Sequence, residues 1–329
     1  MNGIDPEGFE RRVAQHVEWL KISSFSEVTA ESRAKYLKYL VAWCADRGIT
    51  RPAEVTKPVL ERYQAHLYHR RKANGEPLSI ASQQNHLTAL KSFFRWLARQ
   101  NFMLYNPASE IILPKLHKRL PKHVLSIEEM ERVIAVPDVR TPLGIRDRAI
   151  LETLYSTGLR RMEAVALKLY DLDPTRGTLM VREGKGRRQR VVPIGDRALR
   201  WVERYRDEVR PGLVVAPDEG WLFLTHHGGP FEKNSLTEMV RLFVKQAEIG
   251  KKGSVHLIRH TMATLLLEGG ADVRYVQAML GHSRLETTAL YTQVAVRKLK
   301  QVHDACHPAQ IRKSGAAQKS VAPDSPQKI

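Results

Sequence analysis

Tyr291 closes the segment Leu280-Gly281-His282-Ser283-Arg284-Leu285-Glu286-Thr287-Thr288-Ala289-Leu290-Tyr291, and a basic cluster, His256-Leu257-Ile258-Arg259-His260, precedes it. A tyrosine hydroxyl can attack phosphorus and keep the product covalently attached. It needs cations to offset the charge of a five-coordinate transition state and a proton donor for the departing oxygen. Arg160, Lys185, His256, Arg259 and His282 make up such a set. Taken singly, each has an ordinary structural explanation. A tyrosine in an amphipathic helix usually packs. Arg160 with Glu163 makes an i,i+3 ion pair at a helix start, although an arginine there can also fork onto two phosphate oxygens. Lys185, between Gly184 and Gly186, suits a basic hairpin that binds phosphate, or a lysine free to reach a leaving oxygen. His256 and Arg259, three apart, share a helix face. His256 and His260 lie four apart, but no Glu stands between them in the His-Glu-X-X-His manner and no nearby Cys completes a site, so no metal is expected.

The elements that must position these groups follow from periodicity. Residues 1–113 read as all helical. Tyr36, Leu40 and Trp43, with Leu37, Val41 and Cys44, predict a helix over 29–47 that stops at Gly48. Thr56 caps a second helix with Pro58 in its first turn and Leu60, Tyr63 and Leu67 on one face. After the Asn74-Gly75 break, a third helix follows Ser79, with Ile80, Leu87, Leu90, Phe94 and Leu97 as its stripe, and ends before Asn106-Pro107. Residues 114–125 hold Pro114, Pro121 and four basic residues without an acid, which predicts an extended, positively charged linker. Ser126 to Glu129 forms a capping box that opens a second domain over 126–309.

That domain reads as mixed. A helix ends near Gly158, and Arg160 starts the next. Residues 178–182 and 189–194 form a hairpin across Gly184-Lys185-Gly186, a third short strand is expected at 221–225, and a capping box from Ser235 to Glu238 opens a helix to about Glu248. Helices dominate thereafter, with Met262, Leu265 and Leu266 facing a core. Residues 310–329 have little to bury and predict a disordered tail.

The composition fits this organisation. A chain of 329 residues has room for two cores, and 43% hydrophobic with 27% charged residues marks a globular protein. No run of about 18 apolar residues could span a bilayer. Met1 to Glu10 carries acids and no signal-peptide core, so a cytoplasmic location is expected. The two cysteines, Cys44 and Cys306, are far apart with no metal-like spacing, as in a reducing compartment. Lys plus Arg total 53 against 35 Asp plus Glu, a net charge of +18, which favours a polyanionic partner such as nucleic acid.

The order Arg160, Lys185, His256-X-X-Arg259, His282, Tyr291, with these flanks, resembles the tyrosine recombinase (phage integrase) family, and within it the bacterial Xer-type members. The resemblance runs over nearly the whole chain. It implies a mostly α fold with a small β-sheet: an N-terminal helical bundle, the SAM-like core-binding domain, followed by an α+β catalytic domain. It further implies that Tyr291 attacks a backbone phosphate to give a 3′-phosphotyrosyl bond. Arg160 and Arg259 would clamp the non-bridging oxygens, and Lys185 would protonate the departing 5′ oxygen. His256 would act as general base or hydrogen-bond partner, and His282 would bind the phosphate. No metal or nucleotide cofactor would be needed. The partner would be double-stranded DNA with a specific recombination site, bound by a homo- or hetero-tetramer in which Val294 to Val302 is a candidate to dock on a neighbour, the alternative being that it packs against its own chain. Two departures stand out: Arg161-Met162 replaces the small or polar pair common after the first arginine, and Ile258 stands where leucine is frequent. Two other readings share parts of this pattern, a type IB topoisomerase-like relaxer and a catalytically silent DNA-binding protein.

Overall fold

The computed structural model describes residues 5–116, 123–182 and 189–281, without the side chain of Lys233. The chain divides into two compact units, Met1–Lys118 and Arg119–Ile329. Among the described residues no helix is long and apolar enough to cross a membrane.

The first unit packs four helices, α1 (Phe9–Ile22), α2 (Glu27–Ala45), α3 (Lys57–His69) and α4 (Ile80–Arg99). Ser26 caps α2 by accepting from the Thr29 amide at 3.3 Å, and Ser79 caps α4 by accepting from Ser82 at 3.1 Å. Thr56 precedes α3 as expected, but its side chain makes no capping bond. The expected stripe on α4 is buried at Leu87, Leu90, Phe94 and Leu97, whereas Ile80 is exposed because it sits at the helix's first position, ahead of the core.

Helix α1 was not distinguished in the sequence. Its buried face runs through Phe9, His16 and Leu20, and the histidine interrupts what would otherwise be a readable apolar stripe. His16 is wholly buried against Trp19, Phe93 and Trp96, and neither ring nitrogen bonds to a protein partner. The unit closes with residues 109–114 laid across α3 and α4. Lys91 donates to the Ser109 and Ile111 carbonyls, Gln64 to Ile112 and Gln84 to Pro114.

The second unit starts with the anticipated capping box. The Glu129 amide donates to Ser126 Oγ at 3.1 Å, and the Ser126 amide donates to Glu129 Oε2 at 2.7 Å, opening α5 (Ile127–Ala135). Helix α6 (Pro142–Thr157) is buried on nearly every side, with α5, α8 (Asp196–Arg204) and α11 (Val255–Glu268) packed around it. Its buried carboxylate, Glu152, is held by Arg148 and Arg197. Beyond Gly158 the short α7 (Arg161–Val165) leads to an antiparallel sheet of β1 (Leu172–Asp173), β2 (Thr178–Val181) and β3 (Arg190–Pro193), ordered β1-β2-β3. Leu179 pairs with Val192 and Val181 with Arg190. After α8 a π-turn over Tyr205–Val209 runs into α9 (Arg210–Leu213), and α10 (Lys233–Gln246), α11 and α12 (Val273–Leu280) complete the described chain. The fold is thus mostly α with a small sheet.

Two expectations are corrected. Residues 221–225 form no strand, only single bridges from Trp221 to Lys168 and from Leu224 to Pro230, and the third strand is β1. Leu222, Phe223 and Leu224 are buried in succession, so this segment has no alternating face. Its amides are taken singly by the Leu167 carbonyl and the Tyr205 hydroxyl. Helix α10 begins at Lys233 with Glu232 as its cap, not at Ser235. Phe231, buried immediately ahead of it, fixes where the chain turns into the helix.

Burial holds the His16 pKa down at about 4, with Arg33 adding to the effect. Between pH 6.5 and 4 the unfolded chain therefore binds a proton that the folded one does not, and stability falls as the pH drops through that window. This single histidine is expected to cost roughly 3 kcal/mol by pH 4. In urea unfolding of the full chain, His16→Phe should flatten the decline in stability between pH 7 and pH 4.5. An unchanged decline contradicts the assignment.

Candidate active site

The second unit carries an arginine corner built from five elements, α6, α7, β3, α11 and α12. Helix α6 ends at Gly158, whose φ of +60° is open to glycine and costly for other residues. A Cβ there would fall 1.9 Å from Met262 Cε. This tight exit lets the chain turn straight into α7, where Arg160 is the N-cap. The Glu163 carboxylate accepts from the Arg160 amide at 2.9 Å and from its Nη1 at 2.8 Å. Glu163 also receives both terminal nitrogens of Arg190 on β3, at 2.9 and 2.7 Å. Burial works against its charge, but hydrogen bonds from Arg190, the Arg160 amide and the Arg160 guanidinium outweigh it, and the carboxyl titrates at about 2.

The same arginines grip the end of α12. Arg190 Nε donates to the Met279 carbonyl at 2.9 Å, Arg259 Nη2 to Leu280 at 2.7 Å, and Arg160 Nη2 to Gly281 at 3.0 Å. These are carbonyls that a helix leaves unsatisfied at its C-terminus, where its dipole is negative. Arg259, buried on α11, also donates to the Gly158 carbonyl, tying the α6–α7 corner to α12. Gly281, at φ +60°, closes the helix, and a Cβ on it would press within 3.0 Å of Arg190.

Of the six residues singled out in the sequence, Arg160 and Arg259 meet here, 121 and 21 positions from the adjacent carbonyls, Gly281 and Leu280, to which they donate at the end of α12. His256 lies one turn before Arg259 on α11, on its exposed side. Partial removal of water from its ring, and the charges of Arg259, Arg161 and Arg160, lower its pKa below the usual histidine value. Its neighbour His260 is lowered to about 4, mainly by burial. Lys185, His282 and Tyr291 lie outside the described residues, as do Cys306, Val294 to Val302 and residues 310–329. Among the described residues no group of His, Cys, Asp and Glu could hold a metal ion.

Arg190 was missed as a site residue and counted with the basic hairpin. The signal was present: it precedes Val192 and Ile194 at intervals of two, so it shares their buried face, where an arginine needs a carboxylate.

A corner of this kind, where arginines and a histidine lie within electrostatic reach of one another, is suited to holding an anion. The model of the phage integrase family matches residues 123–298, and that of the phage integrase N-terminal SAM-like domain matches residues 13–102. Tyrosine recombinase XerC 2 of Ralstonia nicotianae is 50% identical over 303 residues, 92% of this chain and 87% of the relative. Tyrosine recombinase XerD of Chlorobaculum tepidum is 38% identical over 290 residues, 85% of this chain and 91% of the relative. The crystal structure of XerH site-specific recombinase bound to palindromic difH substrate, in its post-cleavage complex, superposes with a TM-score of 0.67 at 20% identity. It covers 90% of this chain and 95% of that one, and shows the shared fold. The chain belongs to the phage integrase family, among its Xer-like tyrosine recombinases.

Removing one partner of a buried ion pair strands the other charge. Arg190→Met is expected to lower the unfolding free energy of the full chain by about 3 kcal/mol in urea melts. Adding Glu163→Gln should recover part of that loss, whereas strictly additive losses would argue against the pairing. His256 is expected to titrate below pH 6.5 by heteronuclear NMR, leaving the ring neutral at pH 7. A midpoint above 6.5 would contradict the electrostatics described.

Proposed function

We propose that the chain is a site-specific DNA recombinase that cuts and rejoins duplex DNA through a 3′-phosphotyrosyl intermediate, with Tyr291 as nucleophile. The observation that carries this reading is the convergence of Arg160, Arg259 and His256 at one corner whose carboxylate, Glu163, is already neutralised. Such a corner is a ready site for the non-bridging oxygens of a phosphodiester and for the negative charge that builds on them in the transition state.

In this reaction the Tyr291 oxygen bonds to phosphorus as the bond to the 5′ oxygen breaks. The phenol proton leaves to a base, for which the neutral His256 is suited, and Lys185 supplies a proton to the departing 5′ oxygen, which leaves as a hydroxyl. His282 joins Arg160 and Arg259 on the phosphate. The protein–DNA ester retains the energy of the bond it replaced, so a 5′ hydroxyl from a second duplex reverses the step and exchanges strands. The residues present supply every proton transfer without a metal or nucleotide.

Exchange between two duplexes calls for four such sites, and a homo- or hetero-tetramer on DNA supplies them, with Val294 to Val302 as the docking segment. Residues 1–113 serve as the DNA-gripping domain, 114–125 as a basic linker and 126–309 as the catalytic domain, acting on DNA in the cytoplasm. The relatives named as recombinases, and the net charge of +18, support this division of labour.

A nicked suicide substrate tests the reading. The wild-type chain should form an adduct that survives denaturing electrophoresis, and Tyr291→Phe should abolish it while DNA affinity changes less than about twofold. An adduct that persists in Tyr291→Phe overturns the assignment.

A further inference from the structure

Arg161 is a cation at the crowded corner with no carboxylate partner among the described residues. It occupies the first position of α7, directly after Arg160, and it is half-buried. Arg160 and Arg190 share Glu163, yet Arg161 forms no ion pair with a described carboxylate. Its Nη1 donates to Thr237 Oγ1 on α10 at 3.2 Å, a neutral partner. Arg161 also acts on His256 in concert with Arg259 and Arg160, so its charge lies within electrostatic reach of the others. Four basic groups thus crowd one region, and a half-buried arginine beside like charges is unfavourable unless an anion joins it.

The two neighbouring arginines also point apart. Arg160 reaches to Glu163 and to the end of α12, while Arg161 reaches to α10. One phosphate held by Arg160 and Arg259 therefore leaves Arg161 facing a different anion along the same strand. On the reading of the site as a DNA-cleaving centre, we infer that Arg161 is a further DNA-contacting residue, one that binds a backbone phosphate next to the phosphate held by Arg160 and Arg259. Thr237 orients the guanidinium for that contact. The contact is to the backbone, so it strengthens binding without reading sequence.

Salt dependence separates this role from a structural one. The probe is a short fluorescein-labelled duplex of random sequence, titrated with the full chain by anisotropy over a range of salt concentrations. Each neutralised phosphate contributes about 0.9 to the slope of log K against log salt. Arg161→Gln is expected to make the slope shallower by about that amount and to weaken binding most at low salt, while Arg161→Lys keeps the slope. Arg206→Gln is the control, because Asp207 already neutralises that charge at the surface. An unchanged slope in Arg161→Gln, or an equal loss in Arg206→Gln, overturns the inference, and thermal melts of each variant verify folding. The slope measures binding alone, so it stands apart from the suicide-substrate assay. Wild type without an adduct defeats the catalytic reading, whereas an adduct with an unchanged slope defeats only the role of Arg161.

Discussion

The second unit turns on one buried carboxylate. Glu163 binds two arginines from different elements, and those arginines, with Arg259, hold three successive carbonyls at the end of α12. Without the arginines the carboxylate would be an uncompensated buried charge. Without the carboxylate, Arg160 and Arg190 would repel each other across a water-poor corner. The arrangement also binds the helix terminus at its electronegative end, where backbone acceptors would otherwise lack partners. A single constraint therefore sets the direction of Arg160, the docking of β3 against α12, and the point at which α12 ends.

Close backbone approach makes that constraint possible. Gly158 and Gly281 both adopt left-handed geometry, and each lies where a side chain would strike a neighbour, Met262 in one case and Arg190 in the other. The Gly158 carbonyl is then free to accept from Arg259, so the turn that starts α7 and the helix that carries His256 are fixed to each other. Behind them α6, buried almost all round, gives the corner a rigid floor. Among the described residues positive charge is concentrated there with less negative charge than would balance it, the condition under which an anionic substrate completes the electrostatics of its own site.

Much of the fold was legible in the sequence because short-range rules dominate it. The α4 stripe, the Ser126 capping box, the stop at Gly158 and the β2–β3 hairpin each depend on residues within a few positions of one another. The failures have a common physical cause. Helix α1 was hidden because an aromatic cage makes room for His16 in the core. The start of α10 and the loss of a strand at 221–225 were decided by Phe231 and by the buried run from Leu222 to Leu224, whose partners come from elsewhere in the unit.

The site divides in the same way. The sequence by itself supplied the candidates for the chemistry: a tyrosine, a lysine, two histidines and two arginines in an order that resembles the phage integrase family, plus Glu163 one turn from Arg160. Tertiary structure alone decided that Arg190 belongs with Glu163 rather than with the basic hairpin, and that Arg161 has no carboxylate partner among the described residues. Residue type fixes what a group can donate or accept, and local spacing fixes the face of the element that bears it. Which charge meets which partner depends on contacts between positions as distant as Arg160 and Gly281, and only the packed chain brings those together.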